Sequence, residues 1–325
     1  MKNIFLLTLT NLAVVTLLML VFMLLSPVLQ EYGIYTEETI GLGIMALVVG
    51  FVGSFISLLL SKFIAKRTMG VQVIDPKSPR NEAENWILNT TYKLADTANI
   101  KRPEVGIFQG APNAFATGPS KNNSLVAVST GLLNTMNKAE VEAVIGHEIS
   151  HIKNGDMVTM TLLQGVLNTF VIFFSQIIAR ALSRNENGRS GGFLSYYLVY
   201  FLLQTILGAL ATIIVCWYSR KREFKADSGS ADLLQNNQSM IDALKVLGGL
   251  KESPKLGQGF AAFGICFGGI LATHPPIEKR IASLEAWNLN SQTLLHLKQL
   301  ELLKSKILRS KISTALIFLN KSLGL

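Results

Sequence analysis

Two of the four histidines in this 325-residue chain, His147 and His151, stand four positions apart in the stretch VEAVIGHEISHIKNGD, with Glu148 beside the first. Residues i and i+4 share one face of a helix. On a helix, therefore, the two imidazoles can approach one metal ion, and the adjacent carboxylate can act as a general base on a water there. The reading requires helix, and the flanks supply it. Asn137, followed three residues later by Glu140, has the pattern of a capping box. Val141, Val144, Ile145, Ile149 and Ile152 recur at helical spacing, and Asn154-Gly155 is a fitting stop. The pattern predicts a helix over roughly 138–153.

Catalytic zinc takes three protein ligands and keeps a further position for water, so a third donor must come from another element. In SRKREFKADSGSAD, Glu223 and Asp227 are again four apart. Glu223 could bind the ion while Asp227 hydrogen-bonds the far nitrogen of a ligand imidazole and fixes its tautomer. The same acids, set among Arg220, Lys221, Arg222 and Lys225, also read as a solvated charged face. Asp156, directly after Gly155, could back a ligand imidazole or simply cap the chain there, and the cap is the favoured reading. His296 lies in a Leu-rich stretch and reads as a surface residue.

The elements that must hold these groups are set by composition. The chain is 49% hydrophobic and only 16% charged, where a soluble domain carries about 25% charged residues. Four stretches lack any charge: Asn3–Gln30, Thr39–Ser61, Met157–Ala179 and Ser190–Ser219. Each can cross a hydrocarbon core of about 30 Å, which takes roughly 20 apolar residues as helix. The first is too long for a signal-peptide core and is followed by no A-x-A-like cleavage site, so it reads as a retained anchor. With the N-terminus inside, the inner flanks carry Lys2, Lys62, Lys66, Arg67, Lys153, Arg220, Lys221, Arg222 and Lys225. The outer loops carry only Arg180, Arg184 and Arg189, which sets the orientation. The net charge of +9 fits a basic side resting on anionic lipid, and no nucleic-acid-binding signature accompanies it. Cys216 and Cys266 have no paired spacing and read as apolar fillers.

Two polar regions, roughly 62–156 and 220–325, then lie on one side of the membrane. Residues 80–98 read as an amphipathic helix, and Glu104–Phe108, Ala114–Thr117 and Leu125–Ser129 as short strands. His151 lies six residues before Met157, and Glu223 four after the last apolar stretch. At about 1.5 Å per residue both are within about 10 Å of the membrane boundary. A hairpin over 157–219 would return the chain to the face it left, with Glu223 beside the two histidines. The uncharged, glycine-rich Leu256–Thr273 reads as a flexible flap near the site rather than a fifth span.

NAFATG, VAVSTGLL, GHEISHIKNGD, KREFKAD and THPPIEKRI occur in that order between residues 113 and 281, and the resemblance they carry covers roughly residues 1–287. Together they resemble the HtpX family of membrane zinc metalloproteases, related to the CAAX prenyl proteases. The resemblance implies His147, His151 and Glu223 as ligands of one Zn2+ per chain, and Glu148 as the catalytic carboxylate. It also favours His274 of THPPIEKRI as a donor to the oxyanion, with Arg280 a weaker candidate; by itself His274 reads equally as a structural turn residue. Asn113, at the head of NAFATG, is implied to line the substrate cleft, where an extended peptide could add to a sheet edge; its plain alternative is a turn asparagine.

The expected fold is thus a mainly α integral membrane protein, an α+β zincin-like metalloprotease domain on a four-helix transmembrane anchor. Its segments are two N-terminal transmembrane helices (1–61), the first part of the protease domain (62–156), a transmembrane hairpin (157–219), the second part (220–287) and a basic helical extension (288–325). The extension is expected to lie on the inner membrane surface, its helix at about 292–319. The function expected is zinc-dependent endoproteolysis of misfolded or damaged membrane proteins and unfolded polypeptides, at the cytoplasmic face of a bacterial inner membrane. The alternatives are a dedicated processor of lipid-modified C-termini and a non-catalytic scaffold with a structural zinc site. The latter needs a fourth protein ligand, and none stands out. The bilayer is the expected partner and nucleic acid is not; no motif encodes a homo-oligomer or a partner protease.

Overall fold

The computed structural model describes residues 36–183, 193–251 and 272–287, with positions 27 and 31 besides. The expected first span at Asn3–Gln30, the flap at 256–273 except its last two residues, His296 and the extension at 288–325 lie outside these, apart from position 27.

Helix α1 (Thr36–Leu47) runs through a π-helical turn at Val48–Val52 into α2 (Gly53–Thr68). Ile40, Val49, Ile56, Leu59 and Phe63 stay exposed, while Leu42, Ala46 and Phe51 pack on Leu162, Phe173 and Ile177 of α6 (Asp156–Leu182). At the π turn the helices nearly touch. A Cβ on Gly50 would lie 2.6 Å from the Thr169 backbone nitrogen, so no larger residue fits. The third apolar helix, α7 (Phe193–Leu234), is 42 residues long. At about 1.5 Å per residue it measures roughly 60 Å, about twice a hydrocarbon core. Among the described residues three helices are long and apolar enough to cross a membrane: Thr39–Thr68, Asp156–Leu182 and Leu194–Leu234.

The polar part is a four-stranded sheet flanked by helices. Its strands, β1 (Gln72–Val73), β2 (Glu104–Phe108), β3 (Ala114–Ser120) and β4 (Asn123–Ser129), stand in the order β1-β2-β4-β3. β2 and β4 are parallel, from Glu104↔Leu125 to Phe108↔Ser129, and β3 returns antiparallel as the sheet edge. Alternation along β4 sorts its side chains onto two faces. Val126 and Val128 join Ile87 and Leu94 of α3 (Glu82–Thr97) and Ile145 and Ile149 of α5 (Lys138–Asn154) in the main core. Leu125 and Ala127 meet Val71 and Phe108 on the other face. The short α4 (Thr130–Thr135) leads into α5. Helices α8 (Gln238–Lys251) and α9 (277–287) close the second core over Met240, Leu244 and Leu284.

The sheet is tied to the membrane helices. Lys62 Nζ of α2 reaches Glu104 Oε1 at 2.8 Å and Asn123 Oδ1 at 2.7 Å, and Lys66 Nζ reaches Glu104 Oε2 at 2.5 Å. On α7 the Lys221 ammonium stands 4.1 Å from the centre of the Trp217 ring, which is itself half exposed. An amphipathic aromatic under a long basic stem is the arrangement expected at a membrane–water boundary.

Candidate metal centre

Helix α5 has the local signals the sequence implied. The Asn137 side chain accepts from the Glu140 N–H, the Glu140 carboxylate accepts from the Asn137 N–H, and Gly155 ends the helix in the left-handed region at φ 73°. His147 and His151 lie one turn apart with ring centres 4.6 Å apart and ring planes at 89°, edge to face. Their Nε2 atoms are 3.1 Å from each other. Glu223 of α7 faces both: Oε2 is 3.5 Å from His147 Nε2, and Oε1 is 3.5 Å from His151 Nε2. One ligand atom from each of these three residues lies within 4.8 Å of the others.

Both imidazoles are held from behind. His147 Nδ1 donates to Asp227 Oδ1 at 2.9 Å, and Asp227 in turn takes a two-pronged bond from Arg280, Nε to Oδ2 at 2.8 Å and Nη2 to Oδ1 at 2.6 Å. His151 Nδ1 donates to Asp156 Oδ2 at 2.6 Å. Arg222 approaches that carboxylate at 3.6 Å and donates to the Asp156 carbonyl at 3.2 Å. A proton given from Nδ1 to a carboxylate leaves the Nε2 lone pair as the ring's free donor. Two such lone pairs 3.1 Å apart repel unless a proton or a cation lies between them. Zn–N bonds of about 2.0–2.1 Å at a tetrahedral angle put two nitrogens about 3.3 Å apart. Two imidazoles, a carboxylate and two orienting carboxylates therefore fit a zinc ion.

Electrostatics point the same way. Burial opposes a charge on His147, but the Asp227 and Glu223 carboxylates outweigh it and raise its pKa to about 10. For His151, burial is likewise outweighed by Asp156 and Glu223, and its pKa is also raised. The pocket is built for positive charge.

What fixes α7 against α5 is the absence of side chains. A Cβ on Gly146 would meet Ser230 Oγ at 2.8 Å, and Ser230 Oγ donates to the Ala143 carbonyl at 2.7 Å. Glu223, Asp227 and Ser230 fall on one helix face by spacing, so this contact carries the two acids to the histidines.

Of the other residues singled out in sequence, Glu148 is half-buried and close enough to act on the charges of His147, His151 and Arg280. His274 is exposed, and its Nδ1 donates to Glu223 Oε2 at 2.8 Å. Arg280, considered as a donor to the oxyanion, is buried and its fork is engaged by Asp227. Asn113 makes none of the bonds described within this cluster. Its backbone exchanges bonds with Ser129 at the head of β3, and its side chain is exposed. Asp156 corrects the sequence reading: its carboxylate holds His151. The signal was an acid directly after the left-handed glycine that ends α5, five residues beyond His151. Arg222 was read only as a flanking charge.

The profile described as Peptidase family M48 matches residues 81–288. A protease HtpX homologue of Bordetella avium is 49% identical over 304 residues, covering 89% of this chain and all of that one. One from Paracidovorax citrulli is 52% identical over 294 residues, covering 88% and 99%. Among solved structures, Ste24p of S. mikatae matches with a TM-score of 0.53 at 16% identity, over 87% of this chain and 66% of that longer one. At that identity the likeness speaks for the fold alone.

Proposed function

This chain belongs to peptidase family M48, and from that membership we propose that it is a membrane-bound zinc endopeptidase, with His147, His151 and Glu223 as ligands. The observation that carries the reading is the convergence of those three residues within 4.8 Å, with each imidazole backed by its own carboxylate. A zinc ion held there supplies hydroxide at neutral pH and polarises the scissile carbonyl. Asp227 and Asp156 keep the Nε2 lone pairs aimed at one point. Glu148, next to His147 on the same helix, takes the proton of the attacking water and delivers it to the leaving amine.

His274 is assigned to the oxyanion. Because its Nδ1 proton goes to Glu223, its Nε2 can donate only when the ring is an imidazolium. Asn113, at the head of the edge strand β3, is assigned to the cleft that receives the extended substrate.

The anchor is completed by the segment 3–30 as a fourth span, and the site faces the cytoplasm of a bacterial inner membrane. The protease domain is divided between 62–156 and 220–287 by the hairpin 157–219, with α2 and α7 running unbroken across the boundaries at 61/62 and 219/220. The extension 288–325 lies on the inner surface. With the site within about 10 Å of the bilayer, the substrates are misfolded membrane proteins and unfolded chains beside it.

The test compares the unaltered chain with Glu148→Gln, both loaded with zinc and offered casein and a detergent-solubilised membrane protein. Zinc content should be equal, and cleavage should fall by about three orders of magnitude or more. Equal cleavage by both refutes the reading, and cleavage that persists in chelator refutes zinc.

A further inference from the structure

Inside the membrane-spanning part, polar groups line a cleft for which lipid offers no partners. On α2, Ser54, Ser57 and Ser61 recur at i, i+3 and i+7, and on α6, Thr161, Gln164 and Asn168 do the same. Where the two faces meet, Ser54, Ser57, Met160, Thr161, Gln164 and Asn168 border a cleft of about 350 Å³. Gln164 Nε2 donates to Asn168 Oδ1 at 2.8 Å, and Asn168 Nδ2 reaches Ser54 Oγ at 3.5 Å. These bonds leave the Gln164 carbonyl oxygen with its acceptor capacity intact. Two carboxamides at this depth are costly in hydrocarbon, and such residues mark paths for polar material.

Ser57 also lines a second, adjoining cleft, of about 470 Å³, bordered by Ser61, Ala65 and Thr68 and by Phe115, Ala116 and Thr117 of β3. β3 is the outer strand of the sheet, so its far side has no partner strand among the described residues, and it packs along α5. Thr161 and Asn168 lie roughly 8 and 18 Å along α6 from Asp156, the residue that holds His151.

One kind of occupant uses both clefts. A peptide bond inside a helix has its N–H and C=O engaged, so a transmembrane helix must unwind before its chain can lie extended at the metal. In hydrocarbon the freed backbone groups need protein partners, and side-chain amides and hydroxyls provide them. Once past Ser57, the extended chain can pair main chain to main chain with an open strand edge. An acyl chain has no use for the amides, and a soluble peptide has no need of the α2–α6 end.

We propose that the α2–α6 cleft is a lateral entrance, in which the membrane-proximal end of a substrate's transmembrane segment unwinds and is handed to the edge of β3. The assignment rests on the endopeptidase reading above and names the substrate class of that site.

The test uses the full chain with zinc in phosphatidylethanolamine–phosphatidylglycerol vesicles. Two fluorogenic probes share one cleavable tail, joined in the first to a Leu/Ala transmembrane segment and free in solution in the second. Ser57→Cys is reconstituted, assayed, then blocked with a bulky maleimide. The unaltered chain, treated alike, reports any reaction at Cys216 and Cys266. Blocking should lower kcat/KM for the spanning probe about tenfold or more and leave the free probe within about twofold. Equal loss on both probes, or loss on neither, overturns the entrance, and misfolding cannot mimic either result because the protein is active before the block. Gln164→Leu and Asn168→Leu should slow the spanning probe alone; unchanged rates on it count against the amides. If the unblocked protein cleaves neither probe, it is the endopeptidase reading that fails.

Discussion

Gly229 of α7 and Ser150 of α5 meet with no room for a side chain between them: a methyl group on Gly229 would lie 2.6 Å from Ser150 Oγ and 2.8 Å from its Cβ. The contact sits six residues, less than two turns, beyond Glu223 on the same helix, so the spacing of the two helices also sets the distance between the third ligand and the first two. Gly229→Ala must push the helices apart. Overpacking of this kind costs about 1–3 kcal/mol, and metal geometry tolerates shifts of only about 0.2 Å. Zinc affinity, read by competition with a chromogenic chelator, should therefore fall about tenfold or more. Gly249 of α8 has nothing within 4 Å of its would-be Cβ, so Gly249→Ala should leave zinc binding alone. Equal affinities for both variants would show that the glycine contact does not set the site.

The two ligand imidazoles are backed unequally, and this predicts unequal mutants. Arg280 grips Asp227 with bonds of 2.8 and 2.6 Å and is 7% exposed. Arg222 stands 3.6 Å from the Asp156 carboxylate. Arg280→Met strands a buried carboxylate and should cost about 3–5 kcal/mol. Arg222→Met removes a longer contact and should cost about 1 kcal/mol or less. Asp227→Asn and Asp156→Asn should each weaken zinc binding about 10- to 100-fold. Thermal melts with and without chelator, beside zinc titrations, measure both effects; equal melting shifts for the two arginine variants would deny the asymmetry.

What could be read from the chain was local. The α5 boundaries are legible because the cap is a pair of neighbouring side chains, Asn137 and Glu140, and the stop is a glycine free to take φ 73°. Strand β2 runs over Glu104–Phe108 as its pattern predicts, whereas β3 extends past Thr117 to Ser120 through Gly118 and Pro119, which read as turn residues. An edge strand tolerates them: Gly118 takes φ 141°, and the register shifts between Thr117 and Ser120. The uncharged stretch stops at Ser219, yet the helix does not: α7 runs on to Leu234, because Arg, Lys, Glu and Ala are good helix formers once outside lipid. Pairings such as Arg280 with Asp227 depend on contacts 53 residues apart, and no spacing rule reports them.

Glu104 joins the sheet to α2, and its charge makes that joint sensitive to acid. Burial works against the charge, but Lys62 and Lys66 outweigh it and hold the carboxyl below its ordinary value. A depressed value in the folded state means the contribution is complete above the unfolded pKa and is lost as pH falls through the folded one. Glu104 is 40% exposed, so Glu104→Gln should destabilise by about 1 kcal/mol or less at neutral pH. The gap between variant and parent melting temperatures should close as the medium is acidified below about pH 4. A gap that stays constant from neutral to acid would mean that the lysine contacts carry no charge-dependent stability.

Zinc binding should release protons, and the count can be measured. In the metal-free protein, burial disfavours a charged His147, yet Asp227 and Glu223 raise its pKa to about 10; His151 is shifted in the same direction by Asp156 and Glu223. A metal takes an Nε2 lone pair, so any proton on that nitrogen must leave first. Below the raised value the metal-free ring is protonated and the metal-bound ring is not. The apparent affinity therefore climbs with pH, about tenfold per unit for each proton displaced, and levels only when the free ring is already neutral. Calorimetric zinc titrations near neutral pH, in two buffers of different ionisation enthalpy, give the number of protons directly. At least one should be released, and Asp227→Asn, which removes the charge that holds the His147 proton, should release fewer while binding zinc more weakly. Binding heats that do not depend on the buffer would mean that both imidazoles are neutral before zinc arrives, and that the carboxylates behind them orient the rings without charging them.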